Sequence, residues 1–241
     1  MPTRRVRAQP MPEAVISDPA ARRRARARRL HGLYAITPDL ADTGLLVAKA
    51  SAALAGGAAV LQYRNKVADR AHRREQAFAL ARVRAARGGL YIVNDDPELA
   101  REVDADGVHL GEDDASILAA RELIGPDRII GVSCYNDLDR ARRAVESGAD
   151  YVAFGSFFAS TIKPGARSAK PELLSRARSL DVPLVAIGGI TAQNAAQLVD
   201  AGADAVAVIS DVFGRDIDDV TAAADAIARL FKIPSSSRRA P

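Results

Sequence analysis

The heptapeptide GADAVAV at residues 202–208 decides the fold, because three similar phrases occur earlier in the chain. They are GGAAVLQ at 56–62, DADGVHL at 104–110 and GADYVAF at 148–154. Each phrase places a small residue before a run of apolar residues, as at a helix end followed by a short turn and a buried strand. Ala59 and Asp106 are 47 residues apart, Asp106 and Asp150 are 44 apart, and Asp150 and Asp204 are 54 apart. A repeat of two strand–helix units indicates a barrel, and we interpret its aspartates as turn residues outside any site.

Short apolar runs recur throughout the chain after Gly32. They are LYAIT (33–37), AVLQY (59–63), LYIVN (90–94), GVHL (107–110), IIGVS (129–133), YVAFG (151–155), LVAIG (184–188) and AVAVIS (205–210). Segments with helical spacing separate them, at 45–54, 70–87, 116–124, 138–147, 171–180, 192–201 and 220–231. Eight such units predict an α/β protein with a single (β/α)8 TIM barrel. A doubly wound open sheet is the weaker alternative, because no Gly-rich dinucleotide motif follows the first run.

Positive charge is concentrated at the start of the chain. The formal net charge is +4, but residues 1–30 hold nine arginines and two acidic residues, which leaves −3 for the remainder. The basicity therefore belongs to this segment and argues against a nucleic-acid partner for the rest. We expect residues 1–29 to be a disordered Arg-rich extension, 30–232 the barrel and 233–241 a flexible tail. A role of the extension in RNA contact or transit is the alternative.

The composition also limits where the protein works. No uninterrupted apolar run approaches the ~18 residues that a membrane-spanning helix needs. Cys134 is the single cysteine, which excludes an internal disulfide and fits a reducing compartment. We therefore expect a cytoplasmic protein without a membrane partner. The sequence leaves open whether it is a monomer or a homo-oligomer.

The second apolar run ends in cationic and amide groups. In VLQYRNK (60–66), Gln62, Arg64 and Lys66 follow a buried strand directly, and burying these groups would be unfavourable. They should emerge at the carboxyl end of the strand, where barrels hold their working groups. Two cations with amide donors suit a phosphate or pyrophosphate.

Acidic residues follow the next two runs. Asp95 comes after the third strand and residues 112–114 after the fourth, so one carboxylate from each end could share a hard cation such as Mg²⁺. Asp96 precedes a proline and fits a helix N-cap. His109 lies within the fourth strand, and we interpret it as a packed core residue.

A second anion signal follows the seventh strand. Gly188 and Gly189 precede a helix, where exposed backbone N–H groups bind phosphate, and Thr191 is a plausible N-cap of that helix. Ser210 ends the eighth strand, beside the seventh, although a tight turn also explains the glycine pair. The sequence shows no triad and no paired nucleophile and base. The candidate residues are best suited to a reaction that needs only substrate positioning and stabilisation of a leaving group.

Together these motifs resemble the thiamine-phosphate synthase family. The resemblance runs from about Leu33 to Phe231 and rests on LYAIT, QYRNK, Asn94-Asp95, DGVHLGEDD, IIGVS, GSFFASTIK, VAIGGIT and AVAVIS. It implies an enzyme that joins 4-amino-2-methyl-5-hydroxymethylpyrimidine diphosphate to 4-methyl-5-(2-phosphoethyl)thiazole or its carboxylate. The products would be thiamine phosphate and pyrophosphate. The implied reaction is dissociative: pyrophosphate leaves, a pyrimidine carbocation forms, and the thiazole nitrogen captures it.

The resemblance also implies individual roles. The Mg²⁺ ligands would be Asp95 and Asp114. The residues that act on the departing pyrophosphate would be Arg64, Ser133 and Lys163. The residues that bind the pyrimidine diphosphate would be Gln62, Tyr63, Arg64, Asn65, Lys66 and Asn94. The residues that hold the thiazole phosphate would be Ser160, Thr161, Ile162, Gly189, Ile209 and Ser210.

Two positions depart from the family pattern. Glu112 stands where the family commonly has Gln, so a third carboxylate could reach the metal. Ile162 replaces a hydroxyl residue and cannot donate to phosphate, which would cost about 1–3 kcal/mol if its phosphate partner is left unpaired.

Two other functions remain in view. A thiazole tautomerase shares the barrel but uses a histidine two residues after the serine, where this chain has Tyr135. A non-catalytic phosphate-binding barrel is the second alternative, and the metal carboxylates and Lys163 argue against it.

Overall fold

A computed structural model describes residues 18–112, 114–159 and 168–232, and within these ranges parallel strands alternate with helices. The strands are β1 (Gly32–Ile36), β2 (Val60–Tyr63), β3 (Leu90–Asn94), β4 (Gly107–Leu110), β5 (Ile129–Tyr135), β6 (Tyr151–Phe154), β7 (Leu184–Ile187) and β8 (Ala205–Val208). The helices are α1 (Pro19–Ala27), α2 (Thr43–Ala55), α3 (Arg70–Arg87), α4 (Pro97–Glu102), α5 (Ile117–Ile124), α6 (Leu138–Glu146), α7 (Glu172–Ala177), α8 (Ala195–Ala201), α9 (Ser210–Phe213) and α10 (Ile217–Ala228). Short 3-10 turns extend α7 over Arg178–Leu180 and α10 over Arg229–Phe231.

The eight strands close into one barrel in sequence order. Each strand pairs in parallel with the next, and β1 pairs with β8 over Gly32–Ala35. This closure confirms the predicted (β/α)8 TIM barrel and rules out the open sheet. The carboxyl ends of all eight strands therefore meet at one mouth.

The alternation of side chains along β2 separates its two faces. Val60 points into the barrel with the smaller core cluster, whereas Leu61 and Tyr63 pack in the larger cluster between the sheet and the helices. Successive strand residues face opposite sides, so Gln62 and Arg64 share the inward face with Val60. This alternation carries the two polar side chains towards the mouth.

The aspartates of the repeated phrases fasten the opposite end of the barrel. Asp106 accepts a hydrogen bond from the backbone N–H of Tyr91 at 2.9 Å, and Asp150 accepts one from Ile130 at 2.8 Å. Asp204 accepts the N–H of Leu184 at 2.9 Å. Each carboxylate thus ties the start of its own strand to a neighbouring strand. Their interpretation as turn residues outside the site is confirmed.

Residues 19–27 form α1, so the prediction of disorder through residue 29 is wrong for this segment. Asp18 caps the helix by accepting hydrogen bonds from Ala20 and Ala21 N–H. Ala27, in the last turn, is buried in the cluster inside the barrel. The predicted tails over 1–17 and 233–241 lie outside the described residues.

The arginines of α1 find acidic partners far along the chain. Arg22 pairs with Asp127 at 2.8 Å, and Arg23 pairs with Asp150 at 3.2 Å. Arg26 lies 3.6 Å from the buried Asp106. The arginines of α1 therefore hold the helix against the end of the barrel opposite the mouth. Their acidic partners are distant in the sequence, so a local sequence pattern does not connect them to the helix.

Of the two helix N-caps that were predicted near the mouth, one is confirmed and one is wrong. Asp96 caps α4, as predicted, by accepting the N–H of Leu99 at 2.9 Å. Thr191 does not cap α8, which begins at Ala195. Its N–H instead donates to Asn194 Oδ1 at 2.8 Å within the preceding turn.

Candidate active site

A cavity of about 470 Å³ opens at the mouth of the barrel. Its volume falls in the range of small-molecule sites. Seven of the predicted site residues line it: Gln62, Arg64, Asn94, Ser133, Gly189, Ile209 and Ser210. They share one cavity because they lie at the carboxyl ends of β2, β3, β5, β7 and β8.

The end of β2 is held by an aspartate that follows β1. Asp39 accepts two contacts of 3.2 Å from one guanidinium nitrogen of Arg64 and a hydrogen bond of 2.7 Å from the Lys66 backbone N–H. Thr37 adds a reciprocal pair, since its hydroxyl accepts from Arg64 N–H at 2.9 Å and donates to Arg64 C=O at 3.0 Å. This network fixes the backbone that carries both cations.

Three described residues that were predicted to bind substrate do not line the cavity: Tyr63, Asn65 and Lys66. Tyr63 is buried on the helix side of β2, and its hydroxyl donates to Gln76 Oε1 at 3.0 Å. Asn65 is also buried and donates to the same oxygen at 3.0 Å. Its own oxygen accepts the N–H groups of Val67 and Ala68. Both side chains support the loop that presents Arg64 and Lys66, because Tyr63, at the end of β2, and Asn65, just after it, are both bonded to Gln76.

Asp95 and Asp114 come together at the mouth, as the sequence predicted. Burial and the neighbouring Asp95 carboxyl, with which it is hydrogen bonded, raise the pKa of Asp114 above its ordinary value. Asp95 forms an ion pair with Lys66. Its backbone is left-handed, with φ of 63°, and its N–H donates to His109 C=O at 2.8 Å. The two carboxylates thus concentrate negative charge beside Lys66, which follows β2.

Glu112 does not join this acidic pair. One of its carboxylate oxygens lies 3.7 Å from Arg140, whose guanidinium also donates to Ser133 C=O at 2.9 Å. Within the described residues, which omit Asp113, no group of three or more His, Cys, Asp or Glu side chains has a metal-binding arrangement. The acidic site therefore consists of two described carboxylates rather than three.

The glycine pair after β7 packs against the loop that follows β6. Gly188 and Gly189 have φ of 105° and 62°. A Cβ atom on Gly189 would lie 2.3 Å from Ala159 C=O oxygen, and one on Gly188 would lie 2.1 Å from Ser156 Oγ. Only glycine satisfies both demands, so the tight turn that the sequence offered as an alternative is present. The turn also places backbone groups in the cavity wall.

A serine–histidine contact is present that the sequence did not reveal. Ser133 Oγ lies 2.9 Å from His109 Nε2, and Nδ1 of the same ring lies 3.1 Å from the Tyr151 hydroxyl. Burial lowers the pKa of His109 from 6.5 to about 4, which makes the imidazole a weak base near neutral pH. Its orienting partner is a phenol rather than a carboxylate. The contact therefore lacks the features that activate a nucleophile.

The interpretation of His109 as a packed core residue is incomplete. The ring is buried, as expected, but it also lines the cavity. Tyr34 also lines the cavity. The sequence motifs pointed neither to Tyr34 nor to Asp39. The TPD sequence at 37–39 carried a signal for Asp39, because polar residues that follow a barrel strand lie at the mouth. The predicted residues Ser160, Thr161, Ile162 and Lys163 lie outside the described residues.

Comparison with known proteins places this barrel in one family. The model of a family described as thiamine monophosphate synthase matches residues 33–212, most of the chain. The chain belongs to the thiamine monophosphate synthase family. This membership confirms the resemblance read from the motifs, and with it the prediction of an enzyme.

Curated relatives of the family agree. The thiamine-phosphate synthase of Chromobacterium violaceum is 53% identical over 203 residues, which cover 84% of this chain and 97% of that protein. The thiamine-phosphate synthase of Thiobacillus denitrificans is 54% identical over 201 residues, covering 83% of this chain and 94% of that protein. Relatives that match over nearly their whole length support the same activity for this chain.

Solved structures agree as well. A thiamine phosphate pyrophosphorylase from Pyrococcus furiosus superposes with a TM-score of 0.76 at 37% identity, covering 85% of this chain and 97% of that one. A thiamine phosphate pyrophosphorylase from Bacteroides thetaiotaomicron, at 15% identity and a TM-score of 0.60, shares the fold.

Within the described ranges, no helix combines the length and apolar character needed to cross a membrane.

Proposed function

We propose that this protein condenses 4-amino-2-methyl-5-hydroxymethylpyrimidine diphosphate with thiazole phosphate, giving thiamine phosphate and pyrophosphate. The observation that carries the proposal is the cavity at the mouth of the barrel, lined by Gln62, Arg64, Asn94 and Ser133, in a chain of the thiamine monophosphate synthase family. The guanidinium of Arg64 and the polar side chains beside it on one side of the cavity suit a diphosphate. The apolar walls that complete it suit two flat heterocycles.

The acidic pair is our candidate magnesium site. Asp95 and Asp114 fit a hard divalent cation: burial and the neighbouring Asp95 carboxyl raise the pKa of Asp114, and positive charge between the two carboxylates would offset both effects. Lys66 supplies part of that charge through its ion pair with Asp95. When bound, Mg²⁺ would supply charge neutralisation to the diphosphate oxygens.

Side chains at the end of β2 would stabilise the departing pyrophosphate. Arg64 is mostly buried and is aligned by Asp39, so its remaining donors are preorganised for an anion. Ser133 offers a hydroxyl from the neighbouring wall. By resemblance, Lys163 would close on the same anion. A reaction that depends on charge stabilisation agrees with a serine–histidine contact that is not activated for attack.

The second substrate would lie at the opposite side of the cavity. Gly189, Ile209 and Ser210 line this side, and their backbone and hydroxyl groups suit the phosphate of the thiazole. By resemblance, Ser160, Thr161 and Ile162 would complete this half. Ile162 adds no side-chain donor, so we expect the affinity for thiazole phosphate to be lower than with a hydroxyl residue there.

A product assay tests the proposal. The protein is incubated with Mg²⁺ and both substrates, and thiamine phosphate and pyrophosphate are quantified together, with each substrate omitted in turn. We expect equal amounts of the two products, and only when both substrates are present. Tautomerisation of the thiazole carboxylate without condensation would support the tautomerase instead. Binding of both substrates without any product would support the non-catalytic barrel.

A further inference from the structure

A chain of hydrogen bonds crosses the interior of the barrel beneath the cavity. Gln62 Nε2 donates to the Tyr34 hydroxyl at 2.9 Å, and that hydroxyl lies 2.8 Å from the hydroxyl of Tyr151. Tyr151 contacts His109 Nδ1 at 3.1 Å, and His109 Nε2 contacts Ser133 Oγ at 2.9 Å. The chain thus connects two proposed substrate ligands, Gln62 and Ser133, through three side chains that have no assigned role.

The hydrogens that these side chains carry determine which group donates in each hydrogen bond. Tyr34 accepts from Gln62, so its single hydrogen is left for Tyr151, whose own hydrogen then goes to Nδ1 of His109. The ring must therefore carry its hydrogen on Nε2 and donate to Ser133 Oγ. In the opposite direction the Tyr34 hydrogen would have no partner among the described residues. Tyr34 is buried, and such an orphan donor would cost about 1–3 kcal/mol.

The barrel is built to admit the hydroxyl end of Tyr151. A Cβ atom on Gly131 would lie 1.9 Å from Cζ of Tyr151, the carbon that bears the hydroxyl. Any other residue at position 131 would displace this oxygen. Apart from Tyr34 and Tyr151, the residues of the inner cluster are apolar, and they include Ile92, Ile129 and Val185. The Tyr151 hydroxyl is therefore explained by its two hydrogen-bonding partners, Tyr34 and His109, and not by packing.

We propose that Tyr34, Tyr151 and His109 are positioning residues that orient the Ser133 hydroxyl and the Gln62 amide. Because Ser133 accepts from His109, its own hydrogen points into the cavity, where it donates to the diphosphate. Because Gln62 donates its amide N–H to Tyr34, its carbonyl oxygen is left to accept from the exocyclic amine of the pyrimidine. The inference deepens the proposed function and rests on it, since both targets belong to that substrate.

The two ends of the chain predict different kinetic effects. Tyr151→Phe removes one oxygen and releases His109, so kcat should fall about tenfold, as expected for one hydrogen bond to the developing charge, while KM stays within about twofold. Tyr34→Phe should instead raise KM for the pyrimidine diphosphate. Tyr91→Phe is the matched control, because that buried hydroxyl donates to Ala77 C=O in the helix-side core. It should keep wild-type kcat and KM.

A double-mutant cycle separates positioning from a structural effect. If Tyr151 acts through Ser133, adding Tyr151→Phe to Ser133→Ala should lower kcat by less than about twofold further. Independent, multiplying losses would overturn the proposal. His109→Gln retains an N–H near the position of Nε2 and should keep more activity than His109→Leu. Equal losses in these two variants, with equal melting temperatures, would also count against it.

The hydrogen position on His109 provides a test that needs no substrate. Nitrogen NMR of the wild-type protein near neutral pH should show the Nε2–H tautomer, and Tyr151→Phe should change the tautomer population. A wild-type Nδ1–H tautomer would overturn the proposed direction. If the wild-type protein makes no thiamine phosphate, the proposed function fails and the catalytic role of the chain fails with it. An active wild type with an unaffected Tyr151→Phe variant refutes the positioning role alone.

Discussion

The guanidinium of Arg64 is held by the carboxylate of Asp39, with both carboxylate oxygens 3.2 Å from the same nitrogen. The two residues follow neighbouring strands, so this contact fixes a cation at the mouth of the barrel before any anion arrives. The same carboxylate binds the backbone N–H of Lys66. Preorganisation of this kind lowers the reorganisation needed when a diphosphate binds.

Asp39→Asn should therefore weaken use of the pyrimidine diphosphate. The amide retains its volume but loses the charge that aligns Arg64, and we expect kcat/KM for this substrate to fall about tenfold, close to 1.4 kcal/mol. Steady-state kinetics with saturating thiazole phosphate measures this effect. Asp42→Asn is the control, since Asp42 is an exposed cap of α2. Similar losses in both variants would refute a specific role of Asp39.

Asp95→Asn should reduce turnover by raising the magnesium requirement. Removing one of two adjacent carboxylates lowers the charge available to the cation, so the Mg²⁺ concentration at half-maximal pyrophosphate release should rise at least about tenfold. Asp104→Asn is a matched control, because Asp104 is also left-handed, with φ of 52°, and is paired with Arg128. An unchanged Mg²⁺ dependence in Asp95→Asn would remove this residue from the metal site.

Protein stability should fall in mild acid because of His109. Burial lowers the pKa of the folded-state imidazole from 6.5 to about 4, so the unfolded chain gains a proton first as the pH falls. The contribution of the neutral imidazole to the free energy of unfolding is complete above about pH 6.5. It is lost progressively towards pH 4, and the total loss is about 3 kcal/mol. Urea unfolding of the wild type and of His109→Gln over this range measures it. The variant should show a flatter dependence on pH, and parallel curves would contradict the prediction.

Helix α1 should contribute to stability. Arg23 is mostly buried, pairs with Asp150 and donates to Pro126 C=O at 2.7 Å, so Arg23→Ala should lower the free energy of unfolding by about 1 kcal/mol. Arg24→Ala is the control, because Arg24 is exposed and pairs only loosely with Asp18, at 3.6 Å. Urea unfolding of both variants provides the comparison. Equal stabilities would show that α1 does not hold to the barrel in solution.

Much of the fold and part of the site could be predicted because their signals are local. A buried strand must expose its polar residues at its end, and this rule found Gln62, Arg64 and Asp95 in two short stretches. The charge run of α1 was misjudged because Asp127, its partner for Arg22, lies 105 residues away. A local pattern identifies a charged surface but does not reveal the distant surface that neutralises it.

The interior hydrogen-bond chain was beyond the reach of sequence patterns for a related reason. Alternation predicts that His109 and Tyr151 point inward, but these residues belong to β4 and β6, which are not neighbours in the sheet. Their contact depends on the closure of the barrel and on the space left by Gly131. The sequence therefore identified site residues at the strand ends and missed the hydrogen-bonded side chains of Tyr34, His109 and Tyr151 inside the barrel.

A crystal structure with Mn²⁺, pyrophosphate and thiamine phosphate would test the location of the reaction most directly. Our account predicts an anomalous manganese peak in contact with the carboxylates of Asp95 and Asp114, with pyrophosphate against Arg64 and Ser133. The phosphate of thiamine phosphate should lie beside Gly189 and Ser210. Pyrophosphate and metal bound elsewhere, with the mouth of the barrel empty, would contradict it.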